Sequence, residues 1–429
     1  MKIAFFTNNY LPNVYGVPMS IETFRMEFEK IGHEVFIFAP NFPGYADENK
    51  NVFRYPSLDI EIKFRLPLGI PYSLKMDKIL ENLDIDIIHS HHPNLLGSAA
   101  LKWAKKKNVP LIFTWHTLYD QYTNFVPFLP AKFSAGWIIR KAVKYANQAD
   151  MVVVPTESVV PIIRDWGVYP HTKKTSSSFL EFFLYRLIGL KLIHTNAENV
   201  GVGVNEKIFP VPTGVVENEF ANQDRKGIRE KYGIMENEIL LLLVSRLTEE
   251  KNIQFLFETA LEILKKNNQI KFMLAGDGYL LSNLKNEAEK ENLVGRIIFP
   301  GIISRSELKN YYAAGDIFIC ASKSETQGMN VSEAMYCGLP IVAIDAPGIS
   351  SLVENGRNGI LVAENKGEFA TAVEKLVEDN DLRTKMSLES AKIVREKYTS
   401  QICAEKMMEV YAEAIAEHNE RKKTVVCNR

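Results

Sequence analysis

Short apolar runs alternate with amphipathic segments of helical length along both halves of the chain, and this alternation restricts its fold more than any other feature. The runs have the length of buried strands, such as Lys2–Thr7 in the first half and Ile239–Ser245 in the second. Strands that alternate with helices form parallel sheets covered on both faces. We therefore predict an α/β protein with two Rossmann-like, doubly wound domains facing across a cleft, with ligands at the carboxyl ends of the strands.

The chain of 429 residues is long enough for two domains with complete cores. We predict an N-terminal domain over 1–167 and a C-terminal domain over 208–397, with a helix over 398–420 that packs back on the first domain. The other predicted strands are Glu34–Ala39, Ile85–Ser90, Pro110–Thr114, Met151–Pro155, Lys271–Ala275, Ile297–Pro300, Ile317–Ala321 and Ile341–Ile344. Predicted helices include Asn252–Asn267, Leu280–Asn292 and Gln401–Asn419, and we expect the tail from Arg421 to be frayed.

The segment 168–207 between the two predicted domains has an unusual composition. A Ser- and Thr-rich stretch precedes the apolar run Phe179–Ile193, which is too short to span a bilayer. An interfacial helix, an interdomain packing element and a dimer contact are all compatible with this run. As a helix, this run would carry apolar residues on nearly all of its sides. We therefore favour burial over membrane contact and leave its role open.

Composition excludes several classes of protein. The formal net charge of −1 provides no overall field for nucleic acid. The four cysteines lack paired spacing, which suits a reducing compartment better than a disulfide framework. The first residues become polar too soon for a signal peptide, and no run reaches the ~20 apolar residues of a membrane span. We expect a cytoplasmic protein, and the sequence leaves its oligomeric state open.

Two carboxylates surround a turn of small residues in the segment Ser322–Ala334. Glu325 and Glu333 lie on either side of this turn, and the residues after it are predicted to be helical. The backbone N–H groups at the start of a helix form a site for phosphate, which the helix dipole reinforces. Acids beside a phosphate site suit a ligand that carries hydroxyls as well, such as a nucleotide sugar.

Three further loops follow predicted strands. Arg246 and Lys251 flank the loop after Ile239–Ser245, where they are suited to phosphate oxygens, although cations at such a position are also common on a solvated rim. Gly276 and Gly278 form a lone Gly-x-Gly, which fits a tight turn as well as it fits ligand contact. Gly16 follows the first strand, where the lack of a side chain lets a ligand approach the backbone.

Histidines cluster in the first half at His89, His91 and His92, with His116 after the next strand. We reject a metal site because no cysteine or carboxylate lies at ligand spacing, and strand alternation directs His92 away from His89 and His91. No metal or other cofactor is expected. His116 lies in a polar, aromatic segment at the carboxyl end of a strand, so we predict that it belongs to the site.

The segment from Lys102 to Lys144 is strongly basic and contains exposed aromatic residues. A solvated helix face explains this composition as well as contact with an anionic membrane surface does. For the membrane interpretation, the predicted contact residues are Trp137, Arg140, Lys141 and Lys144.

Taken together, these motifs resemble the retaining GT-B glycosyltransferases known as family 4. The most specific element is Glu325 with Glu333, followed by Ala334–Ala343; Arg246 with Lys251 and the segment Pro212–Val215 also match. The resemblance covers nearly the whole chain apart from 171–205. It implies a GT-B fold and transfer of a sugar from a nucleotide donor.

The resemblance also implies roles for single residues. Arg246 and Lys251 would hold the donor diphosphate, Glu325 would contact hydroxyls of the transferred sugar, and Glu333 would contact the ribose. The backbone amides of four further donor-binding residues would cap the phosphate and sugar: Gln327, Gly328, Met329 and Asn330.

In the other domain, the resemblance places Gly16 against the diphosphate and His116 beside the reacting sugar. His116 and Glu325 are therefore the predicted catalytic residues. One departure is visible, because the family often has two glycines in the first loop, whereas Tyr15 precedes Gly16 here. The tyrosine narrows the room beside the diphosphate.

Within the family, the segments Trp115–Tyr122, Val126–Pro130 and Ser324–Met329 look like those of members that glycosylate diacylglycerol. This implies glucose transfer from UDP-glucose to a lipid acceptor by an enzyme peripheral to the inner face of the cell membrane. A soluble sugar or phosphatidylinositol is the alternative acceptor. A nucleotide-sugar epimerase and a non-catalytic membrane-associated binding protein are alternatives of other classes.

Overall fold

The computed structural model describes residues 1–61, 65–118, 131–170 and 207–427, with the backbone alone at 59–61, 65–66, 131–135 and 425–427. The chain forms two compact units, Met1–Val211 with Met407–Arg429, and Pro212–Lys406. The aromatic patch Val126–Pro130 and the insertion 171–205 lie outside the described residues, so what was inferred for them stays a prediction.

A parallel sheet with the strand order β3-β2-β1-β6-β7-β8-β9 forms the centre of the first unit. A separate antiparallel pair consists of β4 and β5. The strands are β1 (Lys2–Phe6), β2 (Glu34–Pro40), β3 (Val52–Tyr55), β4 (Ser57–Glu61), β5 (Arg65–Gly69), β6 (Ile87–Ser90), β7 (Leu111–Thr114), β8 (Met151–Val154) and β9 (Ile208–Pro210). The helices are α1 (Gly16–Lys30), α2 (Leu74–Asn82), α3 (Leu96–Lys107), α4 (Ala131–Ala146) and α5 (Val159–Asp165).

The second unit contains another parallel sheet, with the order β12-β11-β10-β13-β14-β15. Its strands are β10 (Ile239–Val244), β11 (Ile270–Ala275), β12 (Ile297–Gly301), β13 (Ile317–Cys320), β14 (Ile341–Ile344) and β15 (Gly359–Val362). Its helices are α6 (Arg225–Lys231), α7 (Ile253–Lys266), α8 (Leu281–Lys290), α9 (Arg305–Ala314), α10 (Met329–Tyr336), α11 (Lys366–Glu378) and α12 (Asn380–Lys397). Helix α13 (Ser400–Cys427) runs from this unit into the first.

Both sheets owe their form to strands that are apolar on both faces. All four residues of β8 and of β14 are buried, as expected for a parallel strand with helices on either side. In each sheet the strand order reverses direction beside the first strand of the unit, at β1 and at β10. The loops at the carboxyl ends near these strands are where doubly wound sheets place their ligands.

All of the strands predicted from apolar runs are present, with ends that differ by at most two residues. The structure adds β3, β4, β5, β9 and β15, whose sequences are short or interrupted by polar residues. Both predicted bounds of the second domain, 208–397, differ from those of the second unit, Pro212–Lys406. The prediction began the second domain at residue 208, but Ile208 pairs with Val152 of β8, so this strand is the edge of the first sheet.

Helix α13 corrects the prediction of a frayed tail. It continues through Arg421, whose guanidinium donates a hydrogen bond to Asp150. The other carboxylate oxygen of Asp150 accepts the backbone N–H of Leu111 at 2.7 Å, so the acid joins the helix to β7. Among the described residues, no helix combines the length and the apolar content that crossing a membrane requires.

Replacing Arg421 with Ala should therefore lower the free energy of unfolding by about 1 kcal/mol, because the buried Asp150 carboxylate loses a charged hydrogen bond. Urea denaturation followed by circular dichroism measures this change. The control is Lys423→Ala, at an exposed position of the same helix. Equal effects of the two substitutions would show that the Asp150 contact is not what holds the tail.

Candidate functional site

The turn that carries Glu325 connects the carboxyl end of β13 to the start of α10. Gly328 caps the helix in a left-handed conformation, with φ of +81°. Gly348 supports the turn from behind, because a Cβ at this position would lie 2.5 Å from the carbonyl oxygen of Glu325. Small residues therefore let two loops pack closely, and the first amides of α10 lie at the carboxyl edge of the sheet.

Glu325 forms an ion pair with Lys251 across this edge. The Nζ of Lys251 lies 2.5 Å from Oε1 of Glu325, and the two side chains are 14% and 16% exposed. Burial by itself raises the pKa of Glu325, but the charge and the hydrogen bond of Lys251 outweigh it and lower this pKa below its ordinary value. An ammonium has three donors, so a lysine can donate to a carboxylate and to a second oxygen at the same time.

Arg246 lies at the end of β10 and contacts Glu250, with 3.3 Å between Nη2 and Oε1. Its side chain is 43% exposed, in contrast with the largely buried Lys251. The two predicted phosphate ligands thus lie in the same loop but in different surroundings. The structure brings Lys251 to the Glu325 turn, as the phosphate-site prediction requires.

Two donor-binding predictions concern residues at the start of α10 whose side chains have structural partners. The amide of Gln327 pairs with the backbone of Thr213, accepting its N–H at 2.8 Å and donating to its carbonyl at 2.5 Å. The side chain of Asn330 donates to the carbonyl of Val244 at 2.9 Å. These side chains hold the turn in place. Their predicted ligand contacts, and those of Gly328 and Met329, would come from the backbone.

The Gly-x-Gly loop after β11 has a packing explanation. A Cβ on Gly276 would lie 1.9 Å from the carbonyl oxygen of Ser245, and one on Gly278 would lie 2.3 Å from that of Leu247. The loop packs directly on the backbone that follows β10, where the N–H of Leu247 donates to Asp277 at 2.9 Å. The turn interpretation is therefore sufficient for both glycines.

Glu333 has a set of partners that the sequence did not reveal. Its Oε1 accepts from Arg305, and its Oε2 accepts the O–H of Tyr312 at 2.9 Å. Arg305 also contacts Glu219, with 2.8 Å between Nε and Oε2. The sequence contained one indication that Arg305 has an acidic partner. Arg305 is the first residue of α9, where a cation is unfavourable next to the helix dipole unless an acid compensates it.

In the first unit, the predicted histidines form a stacked cluster. His89 and His91 lie on the same side, as alternation predicted, with ring centroids 4.3 Å apart. Nδ1 of His91 lies 3.0 Å from Nε2 of His116, and His89 contacts the hydroxyls of Tyr411 and Thr114. Within the described residues, no group of three potential ligands is arranged to hold a metal ion.

The histidines of this cluster are neutral at pH 7. Burial lowers the pKa of His89 to about 3 and that of His92 to about 4. The pKa of His116 is also lowered well below its ordinary value, first by burial and then by the repulsion that protonated His92 and His89 exert. His116 can therefore accept or donate a hydrogen bond, but it does not supply a positive charge.

Gly16 is the first residue of α1, and a Cβ at this position would meet nothing within 4 Å. Packing therefore does not require a glycine here, and the ligand contact predicted for Gly16 stays a prediction. The preceding Tyr15 is 50% exposed. The loop is open at the place where the resemblance predicts a diphosphate contact.

Helix α4 separates its residues into two faces. Ile139, Ala142 and Tyr145 are buried against the first unit. The four predicted membrane residues lie on the exposed face at helical spacing: Trp137, Arg140, Lys141 and Lys144. The ammonium of Lys141 lies 3.8 Å from the ring centre of Trp137.

The lysines of α3 behave differently, although they belong to the same basic segment. Lys102 lies 3.0 Å from Asp77, and Lys106 lies 2.6 Å from Glu81, so acids of α2 neutralise them. The basic segment therefore forms two separate surfaces, one on α3 and one on α4. Of the two surfaces that the described residues form, the α4 face (Trp137, Arg140, Lys141 and Lys144) is the one that combines exposed cations with an exposed tryptophan, as the membrane interpretation predicts.

Comparisons with known proteins agree with this arrangement. The family model described as "Glycosyl transferases group 1" matches residues 224–417, and that described as "Glycosyltransferase Family 4" matches residues 14–174. An alpha-monoglucosyldiacylglycerol synthase of Streptococcus pneumoniae is 30% identical over 89% of this chain and 80% of that protein. One from Acholeplasma laidlawii is 27% identical over 98% of this chain and 99% of its own.

A more distant relative is a GDP-mannose-dependent alpha-mannosyltransferase of Corynebacterium glutamicum, which is 23% identical over 97% of this chain and 90% of that protein. Among solved structures, Anabaena HepE in complex with UDP and glucose matches with a TM-score of 0.70 and 17% identity, over 96% of this chain and 100% of that one. This structural likeness shows the fold. The chain therefore belongs to the group 1 and family 4 glycosyltransferases and has the GT-B fold.

Proposed function

We propose that this glycosyltransferase moves glucose from UDP-glucose to 1,2-diacylglycerol at a membrane surface, with retention of the anomeric configuration. The proposal for the donor rests mainly on the largely buried Lys251–Glu325 pair, which lies beside the first amides of α10. It combines an ammonium, a carboxylate and helix N–H groups at one sheet edge. That combination suits a ligand with both phosphate and hydroxyl groups.

The chemistry follows from the charges that develop in the reaction. As the bond between the anomeric carbon and the phosphate oxygen breaks, negative charge grows on the leaving diphosphate, where Arg246, Lys251 and the α10 amides stabilise it. A new bond forms between the acceptor oxygen and the anomeric carbon on the same face. The acceptor proton passes to an oxygen of the leaving phosphate, so no protein base is needed.

Glu325 and His116 would then orient the sugar. The ionised carboxylate of Glu325 accepts hydrogen bonds from sugar hydroxyls, and its low pKa keeps it charged at neutral pH. His116 is neutral and acts through a hydrogen bond to the sugar. Gly16 and the backbone of Gln327, Gly328, Met329 and Asn330 are the remaining proposed donor contacts, with Glu333 on the ribose.

The exposed α4 face supports a lipid acceptor. Three cations around an exposed tryptophan suit an anionic membrane surface, where the cations meet headgroups and the ring lies at the interface. The two relatives named as glucosyldiacylglycerol synthases support the same acceptor. We propose that the protein is peripheral on the inner face of the cell membrane.

The test is a transfer assay with lipid vesicles that contain diacylglycerol and a panel of UDP-glucose, UDP-galactose and GDP-mannose. We expect UDP-glucose to give a monoglucosyldiacylglycerol, identified by mass spectrometry, with an α-anomeric proton signal by NMR. Vesicles without diacylglycerol are the control. A β-linked product would contradict retention, and glucose transfer only to a water-soluble acceptor would contradict the lipid assignment.

A second candidate is mannosyl transfer from GDP-mannose to phosphatidylinositol or another acceptor. The mannosyltransferase relative favours it, because it aligns with nearly the whole chain. The same donors, offered with vesicles that contain phosphatidylinositol beside those that contain diacylglycerol, separate the two candidates. If a product forms with GDP-mannose and with neither of the UDP-sugars, the second candidate is established.

A further inference from the structure

Glu333 is held from two directions by side chains that have no role in the proposed reaction. Arg305 donates to Oε1 and the hydroxyl of Tyr312 donates to Oε2 at 2.9 Å. Only 8% of the Glu333 side chain is exposed. The orientation of the carboxylate plane is therefore set by its neighbours and not by solvent.

Arg305 is itself held on more than one side. Its Nε and Nη2 lie 2.8 and 2.7 Å from Oε2 of Glu219, which leaves Nη1 for Glu333. The guanidinium also lies over the ring of Phe220, with 5.1 Å to the ring centre. A planar group with contacts at its edges and on its face cannot rotate freely, so it presents Nη1 to Glu333 in one direction.

The charges of this group favour hydroxyls over phosphate. Two carboxylates, of Glu219 and Glu333, surround one guanidinium, so the three side chains carry an excess of negative charge. The charges of Glu333 and Glu219 raise the pKa of Arg305 despite its burial, and burial together with the Glu333 charge raises the pKa of Tyr312. Both remain donors at neutral pH.

A carboxylate offers about four lone-pair positions, and Arg305 and Tyr312 occupy one on each oxygen. One position on each oxygen is left for a ligand. The two oxygens of one carboxylate match two hydroxyls on neighbouring carbons, such as the 2′ and 3′ hydroxyls of a ribose. A ligand that lacks one of them leaves a buried acceptor without its partner, which is costly.

We propose that Arg305, braced by Glu219 and acting with Tyr312, is a specificity-determining positioning residue that fixes Glu333 to select ribonucleotide over 2′-deoxyribonucleotide donors. This inference rests on the proposed function, in which Glu333 contacts the ribose. Arg305 acts through Glu333 and does not itself contact the reacting atoms.

The experiment compares the dissociation constants of UDP and 2′-deoxy-UDP by isothermal titration calorimetry. We expect the wild type to bind UDP about tenfold or more tightly than 2′-deoxy-UDP, since a hydrogen bond to a charged group is lost. Arg305→Lys retains the charge but removes the planar set of N–H donors that the guanidinium provides. It should reduce this ratio to about threefold or less. Tyr312→Phe, which keeps the ring, should reduce the ratio as well.

Arg357→Lys is the matched control. Arg357 also joins two glutamates, with 2.6 Å to Glu354 and 2.8 Å to Glu389, and neither acid belongs to the candidate site. It should leave the binding ratio unchanged. A merely structural role for Arg305 would weaken both nucleotides equally and leave the ratio as in the wild type, and this result would overturn the inference.

The outcomes also separate this inference from the proposed function. If the wild type binds neither nucleotide, the proposed donor class is wrong. If it discriminates between the two and both Arg305→Lys and Tyr312→Phe retain the full ratio in folded protein, the donor class stands and the positioning role is wrong. Thermal denaturation shows which variants are folded.

Discussion

Replacing Lys251 with Met should reduce the rate of sugar transfer by about a hundredfold or more, because the leaving diphosphate loses a preorganised positive charge. The same change should lower the free energy of unfolding by about 3 kcal/mol, since it leaves the largely buried Glu325 carboxylate without its ion-pair partner. Transfer is measured with vesicles under saturating donor, and stability by urea denaturation.

The chain offers a close control for this substitution. Lys265 lies 2.5 Å from Glu291, the same separation as in the Lys251–Glu325 pair, but its side chain is 51% exposed. Lys265→Met should change stability by less than about 1 kcal/mol and leave transfer as in the wild type. Similar losses in the two variants would mean that Lys251 has no special role in the reaction.

A double variant separates stability from chemistry. Adding Glu325→Gln to Lys251→Met removes the isolated charge, so we expect stability to recover in part while transfer stays lost.

The stability that the Lys251–Glu325 pair contributes also depends on pH. Because the pKa of Glu325 in the folded protein lies below its ordinary value of 4.5, the stability from the pair is present above pH 4.5 and is lost as the pH falls through the folded-state pKa.

Replacing Arg140, Lys141 and Lys144 with Ser should weaken binding to anionic vesicles by about a hundredfold, at about 1 kcal/mol for each cation. The affinity for UDP should not change, because these residues lie on the outer face of α4. Vesicle flotation at two salt concentrations measures the effect. Binding of the wild type should fall at the higher salt, as electrostatic attraction to a surface requires.

The lysines of α3 supply the control for charge alone. Replacing Lys102, Lys105 and Lys106 with Ser removes the same number of cations, but Lys102 and Lys106 are already neutralised by Asp77 and Glu81. This variant should bind vesicles nearly as the wild type does. If both triple variants lose binding equally, overall charge is responsible and the α4 face is not a specific contact.

Several parts of the candidate donor site could be predicted from local sequence. The turn after β13 was readable because Glu325, Gly328 and the start of α10 are neighbours in the chain. Lys251 was placed at the same sheet edge because strand ends follow from apolar runs. The edge strands β3, β9 and β15 were missed, since they contain few apolar residues in a row and depend on pairing with a longer neighbour.

Partners distant in the chain could not be read in this way. Arg305 and Glu333 lie 28 residues apart, and Gln327 pairs with Thr213 across 114 residues. Nothing in a local pattern states which of several polar groups will meet once the sheets form. The same holds for α3 and α4, because the neutralisation of one set of lysines depends on where α2 packs.

The sequence by itself determined the two doubly wound sheets and the residue types at their carboxyl edges, because strand length, periodicity and turn chemistry are local properties. Only the tertiary structure decided the charge and orientation of the candidate residues in each unit. It showed that Lys251 lowers the pKa of Glu325, that Arg305 and Tyr312 hold Glu333, and that burial keeps His116 neutral. Charge and orientation depend on burial and on partners that only folding brings together.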